Sequence, residues 1–462
     1  MKILLINPPS PQTTKYFSSP PLGLMYLASA LRRNHNEVNM LDLFSTERGY
    51  EKIGDILQKE QFDVVGITGM SFQHHSILKT AKTVKNIDPK VPIIAGGSHV
   101  SALPELLLKN ENIDFVLRGE AEQSFPTFVK MIETSNEWQD VPGLCFKKNG
   151  DIQITSPEIV EDIDSLPIPA WDLIDFKKYT GSPHGFFYEK SPIGQIITSR
   201  GCPYLCSFCG AHIIHSRHWR GHSPDRVIAE IDYLIKELRI QELHIEDDNF
   251  TFDISRAKEI LARIIEKKYN LCIAFPNGIR IDRLDDELLQ LMKAAGVYSI
   301  TFGIESGSPR MIKRVHKKIS LDFLEQQIRK VRRYGFYCHG FFIIGFPYEQ
   351  REDIELTIKY AKKLDLDAAF FGTYVPLPGS TDFLDLLEKK KIDINKMNWN
   401  QMFSVYVQDV SFFLTALEIK KYQKLATMRF YLRPKIILRS LMRIRGIKHL
   451  WTLIARLKSI VR

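Results

Sequence analysis

The sequence contains no long apolar run and few cysteines, and both shortages narrow what the protein can be. Its 462 residues nowhere include the roughly 18 consecutive apolar residues that a membrane-spanning helix needs. The apolar start at residues 2–6 stops at Asn7-Pro8-Pro9, too early for a signal peptide. With 44% hydrophobic and 25% charged residues, the composition also excludes a disordered or collagen-like chain. We expect a cytoplasmic protein with two or three globular domains.

Acidic residues are missing from the end of the chain. Glu418 is the last one, and residues 419–462 hold 13 of the 63 lysines and arginines. The other 50 basic residues stand against 54 acidic ones, so the net charge of +9 belongs to this segment. From Arg429 to Arg462, basic residues surround apolar residues that recur mostly at helical spacing: Ile437, Leu441, Ile444, Trp451, Ile454 and Val461. This pattern predicts peripheral contact with an anionic membrane surface; a helix packed on the protein is the alternative.

Only six cysteines are present, and three of them lie close together. A cytoplasmic protein keeps its thiols reduced, so clustered cysteines indicate a metal site rather than disulfides. Cys202, Cys206 and Cys209 form a C-x-x-x-C-x-x-C loop. Three thiolates from one loop can bind three irons of a 4Fe-4S cluster and leave the fourth iron open. The alternative is a structural zinc site with His212 as the fourth ligand.

Apolar runs alternate with helical patterns in a first series over residues 1–140. Strands are predicted at 2–7, 38–43, 64–70, 92–96 and 115–118. Five strands separated by helices predict a doubly wound parallel sheet, whose ligands bind beyond the carboxyl ends of the strands. Residues 141–190 then carry a hairpin signal at Asn149-Gly150 and a proline-rich linker.

A second alternating series covers residues 191–385. It predicts six strands, at 195–199, 242–246, 272–277, 299–303, 337–344 and 368–374. Six units favour a partial (β/α) barrel rather than the eight units of a complete one. The cysteine loop follows the first strand, at the end of the barrel where active sites lie. Residues 386–462 are predicted to form a helical C-terminal region, and the fold class is α/β.

The cysteine loop, with Phe208 before its last cysteine, resembles the signature of the radical S-adenosylmethionine (SAM) superfamily, and the resemblance covers residues 190–380. It implies that Cys202, Cys206 and Cys209 hold a 4Fe-4S cluster, on which SAM is cleaved with one electron from a reductant. The superfamily's common Gly-Gly-Glu is absent, because Glu246-Asp247-Asp248-Asn249 stands in its place. The implied SAM-binding residues are Glu246, Asp248, Arg280, Glu305, Ser306 and Gly345.

The first domain resembles the cobalamin-binding domain that precedes many radical SAM enzymes. The similarity includes Pro20-Pro21-Leu22-Gly23-Leu24 and the small or polar residues after the predicted strands, among them Gly96-Gly97 and Gly119-Glu120. Asn7-Pro8-Pro9-Ser10 replaces the Asp-x-His-x-x-Gly turn that supplies a histidine to cobalt. We therefore expect no histidine from that motif on the cobalt. By composition His99 is an alternative ligand, but we interpret it as a polar loop residue. The implied cobalamin-binding residues are Ser71, Gly96, Gly97, Gly119 and Glu120.

The resemblance implies a cobalamin-dependent methyltransferase that acts on an unactivated carbon of a small or lipid-like substrate. An alternative within the family is oxidative cyclisation, as in anaerobic magnesium-protoporphyrin ester cyclases. An RNA-modifying protein and a metal-binding scaffold are alternatives from other classes. Residues 386–462 lack the alternating strands of an RNA-binding barrel, so nucleic acid is not the expected partner.

Overall fold

The structure is a computed structural model that describes residues 1–11, 19–44, 46, 49–134, 137–179 and 188–442. Its first sheet contains seven strands: β1 (Lys2–Asn7), β2 (Glu37–Asp42), β3 (Val64–Thr68), β4 (Ile93–Gly96), β5 (Phe115–Leu117), β6 (Leu144–Lys148) and β7 (Asp151–Ile154). Their order is β2-β1-β3-β4-β5-β6-β7. The first five strands pair in parallel, and β6 and β7 add an antiparallel edge.

Helices cover both faces of this sheet. They are α1 (Leu22–Arg33), α2 (Gly49–Lys59), α3 (His74–Ile87), α4 (Ser98–Ala102), α5 (Pro104–Leu108) and α6 (Ser124–Thr134). One apolar core contains side chains from α2, α3, α4 and α5, and the core on the other face contains side chains from α1 and α6. The predicted doubly wound parallel sheet is confirmed.

The hairpin at Asn149-Gly150 is part of this first sheet. Both turn residues have positive φ, 53° and 91°, as a tight hairpin turn requires. The hairpin strand β6 pairs with β5, which the sequence pattern presents as the last strand of its domain. The first sheet therefore continues into the segment that the sequence pattern assigns to the connection.

The structure describes eight strands within residues 188–442: β8 (Ile193–Ile196), β9 (Ser199–Arg200), β10 (Arg220–Gly221), β11 (Glu242–Ile245), β12 (Cys272–Phe275), β13 (Val297–Glu305), β14 (Tyr337–Ile344) and β15 (Ala368–Thr373). Six of them form one parallel sheet in the order β8-β11-β12-β13-β14-β15. β9 and β10 form a separate antiparallel ribbon. The predicted partial barrel of six strands is confirmed.

Eight helices belong to this second unit: α7 (His212–His215), α8 (Pro224–Leu238), α9 (Ile254–Glu266), α10 (Asp286–Ala294), α11 (Pro309–Arg314), α12 (Leu321–Arg333), α13 (Arg351–Lys363) and α14 (Thr381–Glu388). The outward side chains of the strands pack against α8, α9, α10, α12 and α13 in the largest apolar core of the described residues. The inward side chains of the strands line the interior of the barrel, because side chains alternate along a strand.

Two further helices, α15 (Ala416–Tyr431) and α16 (Pro434–Met442), follow the barrel. Helix α15 lies along β15, the last strand of the open sheet. The Tyr431 hydroxyl donates to the Ala369 carbonyl (2.9 Å) and accepts from its amide (3.2 Å), and Gln423 donates to the Phe371 carbonyl (2.9 Å). These contacts satisfy polar groups of an edge strand that would otherwise be open to pairing.

Candidate active site

The three clustered cysteines lie on the loop that leaves β9, at the carboxyl end of the first barrel strand. All three are free, half-buried thiols. The Cys209 amide donates to the Cys206 carbonyl (3.2 Å), and Ala211 N–H donates to Cys209 Sγ (3.5 Å). Gly201 has φ +82°, and a Cβ there would come within 2.2 Å of the His218 carbonyl oxygen. The loop can therefore start in this conformation only with glycine.

Charged side chains from later strands share the electrostatic environment of these thiols. Burial raises the pKa of Cys202 and raises that of Cys209 to about 11, and the Asp248 carboxylate adds to both shifts. Burial alone would lower the pKa of Lys317, but the Glu305 carboxylate and the Cys206 thiol hold it above its usual value. The thiols of the cysteine loop therefore interact electrostatically with an acidic side chain, Asp248, and a basic one, Lys317.

The donor set fits an iron–sulfur cluster. Three thiols on one loop can each bind a different iron, and the positive charges of Arg280 and Lys317 lie within electrostatic range of Cys206. In the part of the chain that the structure describes, no three His, Cys, Asp or Glu side chains are gathered as ligands of a single metal ion. His212, the alternative zinc ligand, is half-buried at the start of α7.

The three carboxylates after β11 face different partners. Glu246 accepts a hydrogen bond from Gln195 Nε2 (2.6 Å), and Asp248 acts electrostatically on Cys202 and Cys209. Asp247, which the sequence reasoning did not select, is buried. It accepts from the Thr198 amide (2.6 Å), the Thr198 hydroxyl (2.7 Å) and the Ser199 hydroxyl (2.5 Å). Asp247 therefore anchors the chain just before the cysteine loop.

Arg280 follows β12 and reaches the cysteine loop. Its guanidinium lies 3.5 Å from the ring centroid of Tyr204, between the first two cysteines, and it makes two hydrogen bonds to Asp282 (2.9 and 2.8 Å). Arg280 thus links the loop to the end of β12. Its role in SAM binding stays a prediction.

The end of β13 carries a buried ion pair. Glu305 has φ +65°, an uncommon conformation for a residue with a side chain, and it accepts from Lys317 Nζ (2.8 Å). Ser306 is buried and shares a hydrogen bond with the Thr357 hydroxyl (2.9 Å), so its side chain is engaged within the fold. Lys317 lies in the turn after α11, and no local sequence signal distinguishes it from neighbouring lysines.

Gly345 directly follows β14 and lies against helix α15. Its amide donates to Glu349 Oε2 (2.5 Å), and a Cβ at this position would come within 2.8 Å of Ile419. Glu349 is buried, and burial raises the pKa of its carboxyl to about 8. The glycine therefore admits the packing of α15 as well as the turn, and its role in SAM binding stays a prediction.

At the carboxyl edge of the first sheet, two predicted cobalamin residues meet a buried histidine pair. Ser71 Oγ lies 3.2 Å from His99 Nδ1, and His99 Nε2 lies 2.9 Å from His74 Nδ1. Trp399 packs on both rings, with centroids 4.8 and 5.3 Å away. Gly97 has φ +93°, and a Cβ there would meet Thr68 and Gly69. The interpretation of His99 as a polar loop residue was wrong: its side chain is buried and both ring nitrogens have partners.

Glu120 joins the two halves of the protein. It accepts from both terminal nitrogens of Arg220 (2.8 and 2.9 Å) and from Val160 N–H (2.8 Å), and it contacts His215 Nδ1 at 2.7 Å. Gly119 beside it has φ +74° and packs near Pro157. Glu120 is one of the predicted cobalamin-binding residues, but these contacts engage both of its carboxylate oxygens.

The cysteine loop and the carboxyl edge of the first sheet are neighbours. Helix α7 begins three residues after Cys209, and it packs on α4, which begins directly after Gly96-Gly97. The Arg200–Glu122 ion pair (2.6 Å) adds a second contact between the two units, from β9 to the loop between β5 and α6. The predicted SAM site and the predicted cobalamin site therefore face each other across one interface.

A partial (β/α) barrel with this cysteine loop, joined to a doubly wound sheet, is the architecture of a radical SAM enzyme with a cobalamin-binding domain. Family models agree: the B12 binding domain matches residues 13–129, and the radical SAM superfamily matches residues 196–382. An uncharacterized methyltransferase of Pyrococcus horikoshii is 35% identical over 447 residues, covering 96% of this chain and 95% of that protein. The chain belongs to the family of radical SAM enzymes that carry a B12-binding domain, and its cofactors are a 4Fe-4S cluster, SAM and cobalamin.

Other relatives carry more specific names. The cytidylyl-2-hydroxyethylphosphonate methyltransferase of Streptomyces wedmorensis is 29% identical over 450 residues, covering 85% of this chain and 83% of that protein. An anaerobic magnesium-protoporphyrin IX monomethyl ester cyclase of Synechocystis is 26% identical, covering 88% and 81%. The hopanoid C-2 methylase of Rhodopseudomonas palustris is 25% identical, covering 71% and 58%. TsrM from Kitasatospora setae, solved with cobalamin and a [4Fe-4S] cluster, shares the fold (TM-score 0.72, 17% identity, 99% and 98% of the chains).

Proposed function

We propose that this enzyme transfers a methyl group to an unactivated carbon of a small or lipid-like substrate. The observation that carries the proposal is the packing of α7 on α4, which brings the cysteine loop to the carboxyl edge of the B12-binding sheet. A methyl carrier held by the B12-binding sheet and a cluster held by the cysteine loop would lie on the two sides of this interface. The names of the relatives from Streptomyces and Rhodopseudomonas support the same reaction class.

The bound cofactors supply one-electron cleavage of SAM and a carrier for the methyl group, and the protein positions them. Cys202, Cys206 and Cys209 would hold the cluster. Lys317 neutralises the buried Glu305 carboxylate, which can accept hydrogen bonds from the ribose hydroxyls of SAM. Asp247 fixes the start of the cysteine loop, so the thiols keep their position relative to the barrel.

The test uses the full chain, reconstituted without oxygen with iron, sulfide and cobalamin. The enzyme is given a low-potential reductant and SAM with a deuterated methyl group, together with small-molecule and lipid extracts of cells that lack the gene. We expect one extracted compound to gain the intact labelled methyl group. A product that has lost hydrogen and carries no label would favour the cyclase alternative. Cys206→Ala serves as the control and should give neither product.

We also propose peripheral contact with an anionic membrane surface through helix α16. No helix among the described residues is both long and apolar enough to cross a bilayer. Four apolar side chains of α16 are exposed: Ile437, Leu438, Leu441 and Met442. Two of its bases are used within the fold, because Lys435 and Arg439 pair with Asp365 (2.8 and 2.9 Å). The predicted stripe members Ile444, Trp451, Ile454 and Val461 lie outside the described residues.

A further inference from the structure

The interior of the barrel contains a layer of polar side chains that the cofactor sites do not use. Gln195 on β8 lies beside His244 on β11, and each is flanked along its strand by residues that face the outer helices. Thr301 on β13 also faces the interior, since Ile300 and Phe302 belong to the outer core; it lies two residues beyond Ser299, which shares the register of His244 through Ala274. All three side chains are at least 95% buried.

His244 belongs to a buried pair with Glu242, two residues earlier on the same strand. Its Nε2 lies 2.8 Å from Glu242 Oε1. Glu242 also accepts from the Tyr298 hydroxyl and from the amides of Glu189 and Lys190, each at 2.7 Å. A carboxylate only accepts hydrogen bonds, so the proton between the two side chains sits on Nε2. The pair fixes the orientation of the imidazole ring and turns Nδ1 away from Glu242.

Three polar atoms of this layer have no hydrogen-bond partner in the part of the chain that the structure describes. They are His244 Nδ1, Gln195 Oε1 and Thr301 Oγ1. The oxygen and nitrogen of the Gln195 amide can be told apart, because the nitrogen Nε2 donates to the Glu246 carboxylate and leaves the oxygen free. Buried polar atoms nearly always have partners, so an unpartnered group of this kind calls for a ligand or an ordered water.

The chemistry of these atoms favours a neutral hydroxyl. The register-matched neighbours in the interior are Ala274, Ser299 and His339, so these positions offer no lysine or arginine to a phosphate or carboxylate. Glu242 has four donors already, which leaves it little capacity for an ammonium group. A hydroxyl both donates and accepts, and it suits His244 in either protonation state as well as Gln195 and Thr301.

We infer that the barrel interior binds a hydroxyl group of the substrate through His244, and that the substrate is therefore an alcohol. The inference rests on the proposed methyl transfer and adds the substrate class to it. His244 lies two residues before Glu246, which follows β11 and is one of the predicted SAM-binding residues. A hydroxyl held there places a nearby carbon of the same molecule toward the cofactors.

The first test identifies the product. Cells that express the full chain are fed methionine with a deuterated methyl group, and each labelled metabolite that depends on the gene is treated with acetic anhydride. We expect the labelled metabolite to take up at least one acetyl group on oxygen. A labelled metabolite without a hydroxyl would overturn the inference and leave methyl transfer intact. If no metabolite is labelled, the proposed function falls, and the inference falls with it.

Two substitutions of His244 separate binding from structural support. His244→Gln can keep the donor to Glu242 but loses the polar atom at the Nδ1 position, and His244→Asn does the reverse. If His244 binds the substrate, the Asn variant should make at least tenfold more labelled product than the Gln variant. If it merely supports Glu242, the order should be inverted, which would overturn the inference. Both purified variants are checked for iron, sulfide and cobalamin.

His222→Asn is the matched control, because asparagine keeps a polar atom at the paired Nδ1 position of His222 and loses the one at Nε2. His222 is also buried, it pairs with the Asp164 carboxylate (2.9 Å), and its other ring nitrogen has no partner. It lies between β10 and the linker, outside the barrel. We expect product formation within twofold of the wild type. A loss as large as that of His244→Gln would show that any buried histidine has this effect, and the assignment of His244 would fail.

Discussion

Glu246, Asp247 and Asp248 follow one another after β11, yet their surroundings differ. Asp247 is buried among three donors and holds the polypeptide before the cysteine loop. Glu246 faces Gln195 at the barrel interior, and Asp248 faces the thiols. Side chains alternate between two faces only while the strand remains extended. Beyond the end of β11 this alternation stops, so the three adjacent carboxylates can point in three different directions.

Each clustered cysteine should be required for the cluster. We expect Cys206→Ala to remove both the iron–sulfur absorbance and the formation of 5′-deoxyadenosine, because no other thiol is available on the loop. Iron and sulfide analysis of anaerobically purified protein measures the effect. Cys145→Ala, in the core of the first sheet, is the control: it should cost stability through lost packing but keep the cluster. Tightly bound zinc without sulfide in the wild type would contradict the cluster assignment.

The buried histidine pair makes the first domain sensitive to acid. Burial lowers the pKa of His74 to about 4 and that of His99 to about 3. Between pH 6.5 and 4 the unfolded chain takes up protons that the folded chain does not, so the free energy of unfolding falls as the pH falls. At about 1.4 kcal/mol per pKa unit, we expect a loss of several kcal/mol.

Urea unfolding across this pH range measures that loss. The double variant His74→Gln, His99→Gln should show a much flatter dependence on pH, whatever its stability at neutral pH. His35→Gln changes an exposed histidine and should behave like the wild type. An unchanged slope in the double variant would show that other groups control the acid sensitivity.

Among the elements of secondary structure, the sequence best predicts strands whose two faces are both buried. The run at residues 337–344 coincides with β14, because most side chains on both of its faces are enclosed and the run is apolar except for His339. The hairpin at Asn149-Gly150 was also predictable, since the turn chemistry is local. Its pairing with β5 was not, because register between distant segments depends on the tertiary fold.

The same division applies to the site. The cluster ligands can be predicted from the cysteine spacing, because the three residues are close in the sequence. The partner of Glu120 cannot be predicted in this way, because Arg220 is 100 residues away. The packing of Trp399 on His99 joins segments 300 residues apart, and no local pattern announces it. Sequence motifs therefore locate strand ends, and only the fold shows which side chains there are free to bind a ligand.

The interface between the two units depends on the Glu120–Arg220 pair. Arg220→Met would leave a buried carboxylate with fewer donors, and we expect a loss of about 3–5 kcal/mol in the free energy of unfolding. Burial opposes ionisation of Glu120, but His215 and Arg220 hold its pKa well below the usual range. Arg263→Met is the control, because its pairs with Asp225 and Glu259 are exposed and should contribute little to the free energy of unfolding. Equal losses in the two variants would contradict this account.

At the scale of the whole molecule, the cobalt of bound cobalamin should carry no protein histidine. The turn after β1 has no histidine, and His99 is buried with both nitrogens engaged. We expect the paramagnetic resonance spectrum of the reduced cobalamin form, bound to ¹⁵N-labelled protein, to show no coupling to a protein nitrogen. His99→Ala should leave this spectrum unchanged. A ¹⁵N coupling that disappears in His99→Ala would identify His99 as a ligand.

Membrane contact would act on the molecule as a whole, and α16 offers a way to test it without disturbing the fold. Deleting everything after Met428 would also remove buried Phe430 and uncover β15, so substitutions at exposed positions are sharper. Leu438 and Leu441 are 59% and 53% exposed, so changing both to Gln should alter stability by no more than about 0.5 kcal/mol each.

If α16 inserts its apolar side chains beneath the headgroups, the Leu438→Gln, Leu441→Gln variant should float several-fold less with anionic phosphatidylglycerol vesicles than the wild type. Each buried methylene contributes about 0.8 kcal/mol to such binding, whereas charge alone would bind both proteins equally and release both in salt. Leu417→Gln, at the far end of α15 and 79% exposed, is the control and should float like the wild type. Equal flotation of all three proteins would leave contact through basic residues alone, and failure of the wild type to float would remove membrane contact from the function of this enzyme.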